Sequence, residues 1–243
     1  MKNILITGVT HGIGKVTALK AQDAGYHVFG LDKEAPPPAD TEFKDMTMLR
    51  CDLSKPEMVE AIIADLLAQK VKFHGLVNNA AEILPGSLDD IDFAVWNTSI
   101  EANLTAPLRL CHGLRDSFTS GGAIVNVSSQ GGHHAAFGTI PYTFTKAAQI
   151  NLTQSLAANF GSRRVRVNAV VPGWVNTDSA KPVIPQVAAR VTPLGRNAEP
   201  REVADAILFL LSEKAAFING TQLVVDGGYD AIDYSIYQLD QAS

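Results

Sequence analysis

The sequence predicts an α/β fold in which a parallel sheet is covered by helices on both faces. Three observations carry that reading. Short apolar runs rich in β-branched residues alternate with helix-length segments along most of the chain. The first run passes straight into a glycine-rich turn, TGVTHGIG at 7–14, which opens a helix. Finally, 243 residues with 46% hydrophobic content suffice for one large domain with a substantial core.

Taken in order, NILIT (3–7) reads as the first strand, and a helix runs from Gly14 to about Ala24. YHVFGLD (26–32) is the second strand, APPPAD (35–40) a loop, and MTMLRCD (46–52) the third strand. In SKPEMVEAIIADLLAQ (54–69), Ser54 is placed to cap a helix and Pro56 to sit in its first turn. Met58, Ile62, Ile63, Leu66 and Leu67 recur there at helical spacing. HGLVNNAA (74–81) is the fourth strand and its exit, followed by a long helix over 92–118. GAIVNVSS (122–129) is the fifth strand and 141–161 the next helix. RVRVNAVVPG (164–173), a helix at PREVADAILFLLS (200–212) and TQLVVDGG (221–228) complete the alternation. One domain is expected over 1–228, including a substrate-side loop at 178–195, with a C-terminal tail at 229–243. The three tyrosines of that tail suit either packing on a neighbouring subunit or a partly ordered end.

The net charge of −5, with charges scattered singly, does not favour nucleic acid or an anionic membrane. No apolar leader follows the start MKNILITG, and no run approaches the roughly 18 apolar residues of a spanning helix. Cys51 and Cys111 lie far apart without metal-ligand spacing, so free thiols in a reducing cytoplasm and no metal site are expected.

The glycines of G-x-x-x-G-x-G have separate physical tasks. Gly8 allows the tight turn out of the strand. Gly12 lets backbone approach a pyrophosphate, and Gly14 lets the helix pack closely on the sheet. The helix start then turns free N–H groups and the positive dipole end toward phosphate. Asp32, ending the second strand, is placed to accept from an adenosine ribose 2′-OH and to repel a 2′-phosphate, which favours NAD(H) over NADP(H). Lys33 beside it is a counter-signal; His11 is not reliably cationic at neutral pH.

Further on, Ser129 precedes Tyr142, and Lys146 follows Tyr142 at i+4 on one helical face. A tyrosine is a poor base at neutral pH unless positive charge favours its phenolate. Lys146 is placed to supply such charge.

These segments together resemble the classical short-chain dehydrogenases/reductases, from about residue 3 to 228. The matches, in order, are TGVTHGIG (7–14), CDLS (51–54), NNAA (78–81), EANL (101–104), the Ser129/Tyr142/Lys146 set and VVPGWVNTD (170–178). The resemblance implies a single Rossmann-type doubly wound domain with strand order 3-2-1-4-5-6-7, usually assembled as a homotetramer, with a homodimer as the smaller option. It implies that His11 and Ile13 of the glycine-rich turn contact the cofactor, and that Asp52 and Leu53 meet its adenine. Asn79 and Ala80 stiffen the sheet and line the ribose. Pro172, Gly173, Val175 and Thr177 wrap the nicotinamide. Ala81 stands where the family has glycine, which would need adjustment if that position has positive φ. Tyr142 becomes the acid/base, Lys146 also holds ribose hydroxyls, Ser129 steadies the substrate oxygen, and Asn103 orders a water that links Lys146 to solvent. The oxidised nicotinamide adds to the positive charge.

Substrate recognition is less legible. Candidates are Ser129, Gln130, His133 and Trp174, with Ile83, Leu84 and the segment 178–195 lining the pocket. The adjacent His133 and His134 read equally as surface groups. The implied reaction interconverts a secondary alcohol and a ketone of small or medium size with NAD(H). Open alternatives are an NADPH-dependent 3-oxoacyl or carbonyl reductase and a non-catalytic nucleotide-binding redox sensor.

Overall fold

The computed structural model describes residues 2–34, 43, 45–177 and 190–232. Seven strands form one sheet: β1 (Lys2–Thr7), β2 (Tyr26–Asp32), β3 (Thr47–Arg50), β4 (Phe73–Asn78), β5 (Phe118–Val127), β6 (Arg166–Pro172) and β7 (Gln222–Val225). Every pairing is parallel, in the order β3-β2-β1-β4-β5-β6-β7.

Side chains of successive strand residues point to opposite faces, and both faces here are apolar. Leu5, Leu76 and Ile124 face one core, with Val59 and Leu66 of α2 (Pro56–Ala68), Leu110 of α4 (Ala106–Gly113) and Leu156 of α5 (Ile140–Phe160). Ile4, Ile6, Val77 and Val125 face the other, with Ala18 and Ala21 of α1 (Gly12–Asp23) and Val203 and Ile207 of α6 (Pro200–Leu211). Leu5, Leu76 and Ile124 are fully buried, and each contributes about 1.5–3 kcal/mol of transfer free energy.

Strand order reverses between β1 and β4, so the crevice beyond their C-terminal ends is the switch point at which such sheets bind ligands. The glycine-rich turn, the NNAA segment and Ser129 all leave the sheet at that edge.

Four expectations need correction. Ser54 does not cap α2. The cap position is Lys55, and both the amide and hydroxyl of Ser54 donate to Asp52 Oδ1, at 2.9 and 2.7 Å. A turn closed by aspartate thus precedes the helix. On the same helix Leu67 is exposed, while Val59, absent from the predicted stripe, is buried. The long helix of 92–118 is broken into α3 (Phe93–Ile100), a π-helical turn at Glu101–Thr105 and α4, which ends at Gly113. Pro107 is the physical reason: its ring crowds the carbonyl of Asn103 four residues earlier, and it has no N–H to give that carbonyl. The fifth strand starts at Phe118 rather than 122, because a register shift and a left-handed Gly121 (φ 84°) absorb the glycine pair within it.

Candidate active site

The nucleotide end is built by close backbone approach. Gly8 has φ 71°, and a Cβ there would lie 2.9 Å from Ala80 Cα. A Cβ on Gly14 would lie 1.8 Å from the Gly8 carbonyl oxygen, so only glycine lets α1 pack down on the turn. Gly12 has φ 57° and faces Thr177 Cγ2. His11 is the extended N-cap of α1 and its side chain does not cap the helix, which leaves the first-turn N–H groups suited to an anion. Ile13 packs its side chain against the core and gives its carbonyl to Thr17 Oγ1 at 2.7 Å.

Thr7 Oγ1 accepts from the amides of Asn79 and Ala80, each at 3.0 Å, and Asn79 Nδ2 donates to the carbonyls of Thr7 and Gly8. These bonds stitch the end of β1 to that of β4. Ala81 is not among the non-glycine residues with positive φ, so the departure from NNAG costs no strain.

Asp32 is 6% exposed. Its Oδ2 accepts from the amide and hydroxyl of Thr10 at 3.0 and 2.9 Å, and its Oδ1 from the amide of Glu34. Thr10, which sequence reasoning passed over, therefore fixes this carboxylate against the glycine-rich turn. Lys33 Nζ is paired with Glu82 at 2.7 Å. Beyond them opens a cavity of about 500 Å³ lined by Lys33, Glu34, Arg50, Asp52, Lys55 and Met58. Asp52 faces it, whereas the Leu53 side chain is in the core, so only the Leu53 backbone is available to an adenine.

A dinucleotide fits these residues. The cradle has room for phosphate only where its glycines lack Cβ atoms, and the cavity continues past Asp32. At the far end, Gly173 donates to the Val225 carbonyl at 3.0 Å, after Pro172 closes β6. A Cβ on Gly173 would lie 2.8 Å from Asp226 Cα. Val175 bridges to Ala198, and Thr177 follows in a tight turn.

The residues expected to move the proton come from three elements. Ser129, after β5, caps a short 3-10 turn (Gln130–Gly132) by accepting from the Gly131 amide at 3.1 Å. It is also the neighbour that favours the phenolate of Tyr142 on α5. The adjacent Ser128 is buried and spends its hydroxyl on the Lys146 carbonyl at 2.8 Å. Lys146 Nζ lies 5.6 Å from the Tyr142 ring centroid, is 2% exposed, and donates to the Val127 carbonyl at 2.7 Å. Burial pushes the Lys146 ammonium down to about 7. Burial also raises Tyr142, against a smaller lowering by Ser129. The sequence expectation of a tyrosine depressed by its lysine is thus reversed here, since loss of hydration penalises both charged forms.

Asn103 sits in the π-helical turn, fully buried. Its Oδ1 accepts from the Glu82 amide at 2.7 Å, and its Nδ2 donates to the Glu82 carbonyl and Thr145 Oγ1. Its main-chain carbonyl accepts from Gln149 Nε2 at 2.8 Å. Gln149 was missed in the sequence. The available signal was a polar residue three positions after Lys146, on the helical face that packs inward.

Among the described residues, Gln130 Oε1 and Trp174 Nε1 are buried without a partner. His133 is already engaged at both ring nitrogens, by Asp230 Oδ2 and by Gln222 Oε1 at 2.7 Å. His134 Nε2 binds the other oxygen of Asp230 at 2.9 Å. The histidine pair thus clasps the loop after β5 to the turn at Tyr229–Ala231. That turn begins the tail; Tyr234, Tyr237 and most of the 178–195 segment lie outside the described residues.

A family model described as enoyl-(acyl carrier protein) reductase matches residues 8–230. The cis-4-hydroxycyclohexanecarboxylate dehydrogenase of Sinomonas cyclohexanicum is 36% identical, over 94% of this chain and 96% of its own. An NAD-dependent glycerol dehydrogenase of Listeria innocua is 31% identical, over 94% and 93%. Among solved structures, a short chain dehydrogenase family protein of Francisella tularensis superposes with a TM-score of 0.86 at 30% identity, covering 96% of this chain and all of the other. A 4-hydroxyisoleucine dehydrogenase complexed with NADH also reaches 0.86, at 26% identity with 96% and 100% coverage. The chain belongs to the classical short-chain dehydrogenase/reductase family. It is an oxidoreductase that works with a nicotinamide dinucleotide between a secondary alcohol and a ketone.

Proposed function

We propose that this chain is an NAD(H)-dependent dehydrogenase/reductase for a small or medium hydroxylated substrate, with Tyr142 moving the proton. The observation that carries the reading is the convergence of Ser129, Tyr142 and Lys146, with Lys146 Nζ 5.6 Å from the Tyr142 ring centroid and Ser129 acting on the tyrosine.

When bound, the nicotinamide supplies the hydride acceptor or donor. The chain supplies the rest. Gly8, His11, Gly12, Ile13 and Gly14 cradle the pyrophosphate; Asp32 receives the adenosine ribose; Asp52 and the Leu53 backbone border the adenine. Asn79, Ala80, Pro172, Gly173, Val175 and Thr177 border the nicotinamide half. Ser129 donates to the substrate oxygen as charge develops there. Tyr142 gives its proton to that oxygen in reduction and takes it back in oxidation. Lys146 holds ribose hydroxyls and places positive charge behind the tyrosine, while Asn103 fixes the helix that carries both. Because burial keeps Tyr142 protonated, the resting site is poised as a proton donor.

Gln130 and Trp174 offer a buried acceptor and donor to substrate. The relatives' named substrates, 4-hydroxycyclohexanecarboxylate, glycerol and 4-hydroxyisoleucine, are small and bear further polar groups. A similar polar alcohol is proposed here, in a cytoplasmic homotetramer or homodimer whose working domain spans 1–228.

A second reading has one observation in its favour: Arg50 and Lys55 line the cavity near Asp32, as cations suited to a 2′-phosphate would. It corresponds to the NADPH-dependent reductase. Titrating the protein with NADH and with NADPH separates the two. NADH tighter by tenfold or more, about 1.4 kcal/mol, supports the NAD reading. NADPH tighter puts the reductase first.

A further inference from the structure

The carbonyl of Asn103 has a specific problem. Pro107, four residues on, has no N–H for it, and the carbonyl is buried with its residue. The side chain of Gln149 solves this. Its Nε2 donates to that carbonyl at 2.8 Å, while its Oε1 accepts from Lys146 Nζ at 3.3 Å. The amide can satisfy both partners in one orientation only, because the carbonyl solely accepts and an ammonium solely donates. Gln149 is 1% exposed, and its own carbonyl accepts from Thr153 Oγ1, which in turn accepts from Asn126 Nδ2. That main-chain bond and the Asn126 contact tie this turn of α5 to β5 through buried polar groups.

We propose that Gln149 is a positioning residue for the reaction: it holds Lys146 in its charged form and ties it to the π-helical turn of Asn103. This rests on reading Lys146 as the charge behind Tyr142. The resemblance implies a water, ordered by Asn103, that links Lys146 to solvent; here the Gln149 side chain joins Lys146 to the Asn103 carbonyl.

Few other groups bear on this charge. Glu82, in the segment after β4, is paired with Lys33, and Glu101 of the π-helical turn with Arg109. His133 of the 3-10 turn region is held by Asp230. Tyr142 is the titratable neighbour on α5 itself. Burial lowers Lys146, and Val127 O and Gln149 Oε1 are the acceptors its Nζ reaches, at 2.7 and 3.3 Å.

The experiment is a titration of the cofactor-free protein, enriched with lysine carrying ¹³C at Cε, followed by NMR in the wild type, Gln149→Met and Gln149→Glu. Methionine keeps the length and removes the amide; glutamate keeps the acceptor and adds charge. Lys146 should titrate about one unit lower in Gln149→Met and higher in Gln149→Glu, with the pH profile of kcat/KM moving in the same two directions. A titration unmoved in both variants, or lowered in both, overturns the proposal, since mere packing damage has no reason to act with opposite signs. Should Gln149→Met not fold, Gln149→Glu decides alone: a raised value supports the bridge, an unchanged or lowered one refutes it. The NMR readout needs no turnover, so a failure of the oxidoreductase reading, seen as turnover that survives Tyr142→Phe, remains a separate result.

Discussion

The nucleotide end and the proton-transfer end of the site are held in shape by different means. At the nucleotide end, main chain packs closely on main chain, Gly8 against Ala80 and Gly14 against the Gly8 carbonyl, and the Thr7 hydroxyl takes the amides of Asn79 and Ala80. At the proton-transfer end, side chains from β5, the π-helical turn and α5 meet one another, through Ser129, Asn103, Tyr142, Lys146 and Gln149. Backbone contact tolerates no added atom, so it demands glycine at fixed spacing. A side-chain network instead shifts proton affinities, and its members come from distant parts of the sequence.

The sharpest way to break one end without the other is Gly14→Ala. Its methyl would fall 1.8 Å from the Gly8 carbonyl oxygen and 2.4 Å from Asn79 Nδ2, and the Gly8 backbone cannot yield. Calorimetry should show NADH affinity lowered about 100-fold or more, as about 3 kcal/mol of overpacking implies, and the thermal midpoint should fall. An alanine variant that binds NADH like the wild type would show that the turn is looser than these contacts require.

A smaller effect separates the site from its surroundings. The clasp of His133 to Asp230 is an ion pair only while the histidine is protonated. Burial lowers His133, but its hydrogen bonds to Asp230 and Gln222, with the charges of Asp230 and Asp226, outweigh it and raise the net value. A raised native value stabilises the fold fully below the unfolded histidine's range near pH 6.5, and the gain is lost as pH climbs through the native value. Between pH 6 and 8 the wild type should therefore lose about 2 °C more in melting temperature than Asp230→Asn, a shift of roughly 0.5–1 kcal/mol in a chain of this size. Parallel melting curves for the two proteins would remove the clasp from the account.

The smallest effect concerns the thiols. Burial pushes Cys51 up to about 11 and Cys111 to about 12, and both are free and buried. Neither should react with an aromatic disulfide reagent at pH 8 until denaturant is added. Prompt reaction in the native state would mean that the core on the α2–α4 face opens readily.

The same contrast explains what could be read from the chain. Gly8, Gly12, Gly14 and Asp32 were legible because a phosphate cradle forces both residue type and spacing, and the strand order followed from the family resemblance. Ser129 followed from the spacing of the family it resembles; in the fold its hydroxyl and that of Ser128 have different partners. Thr10 and Gln149 were not legible, because their meaning lies in partners 22 and 46 residues away. Pro107 was in plain view within the predicted long helix, yet its effect on the Asn103 carbonyl is visible only once α5 lies alongside. The fall of Lys146 and the rise of Tyr142 are likewise products of burial, which spacing does not report.

The most direct test of the central claim is turnover of a panel of small secondary alcohols and ketones with NAD(H), comparing the wild type with Tyr142→Phe. The account predicts a wild-type reaction whose kcat/KM falls about 10²–10⁴-fold in the variant, as loss of a positioned acid/base does, while NADH binding stays within about threefold. A variant that binds NADH and still turns over at the wild-type rate would contradict it.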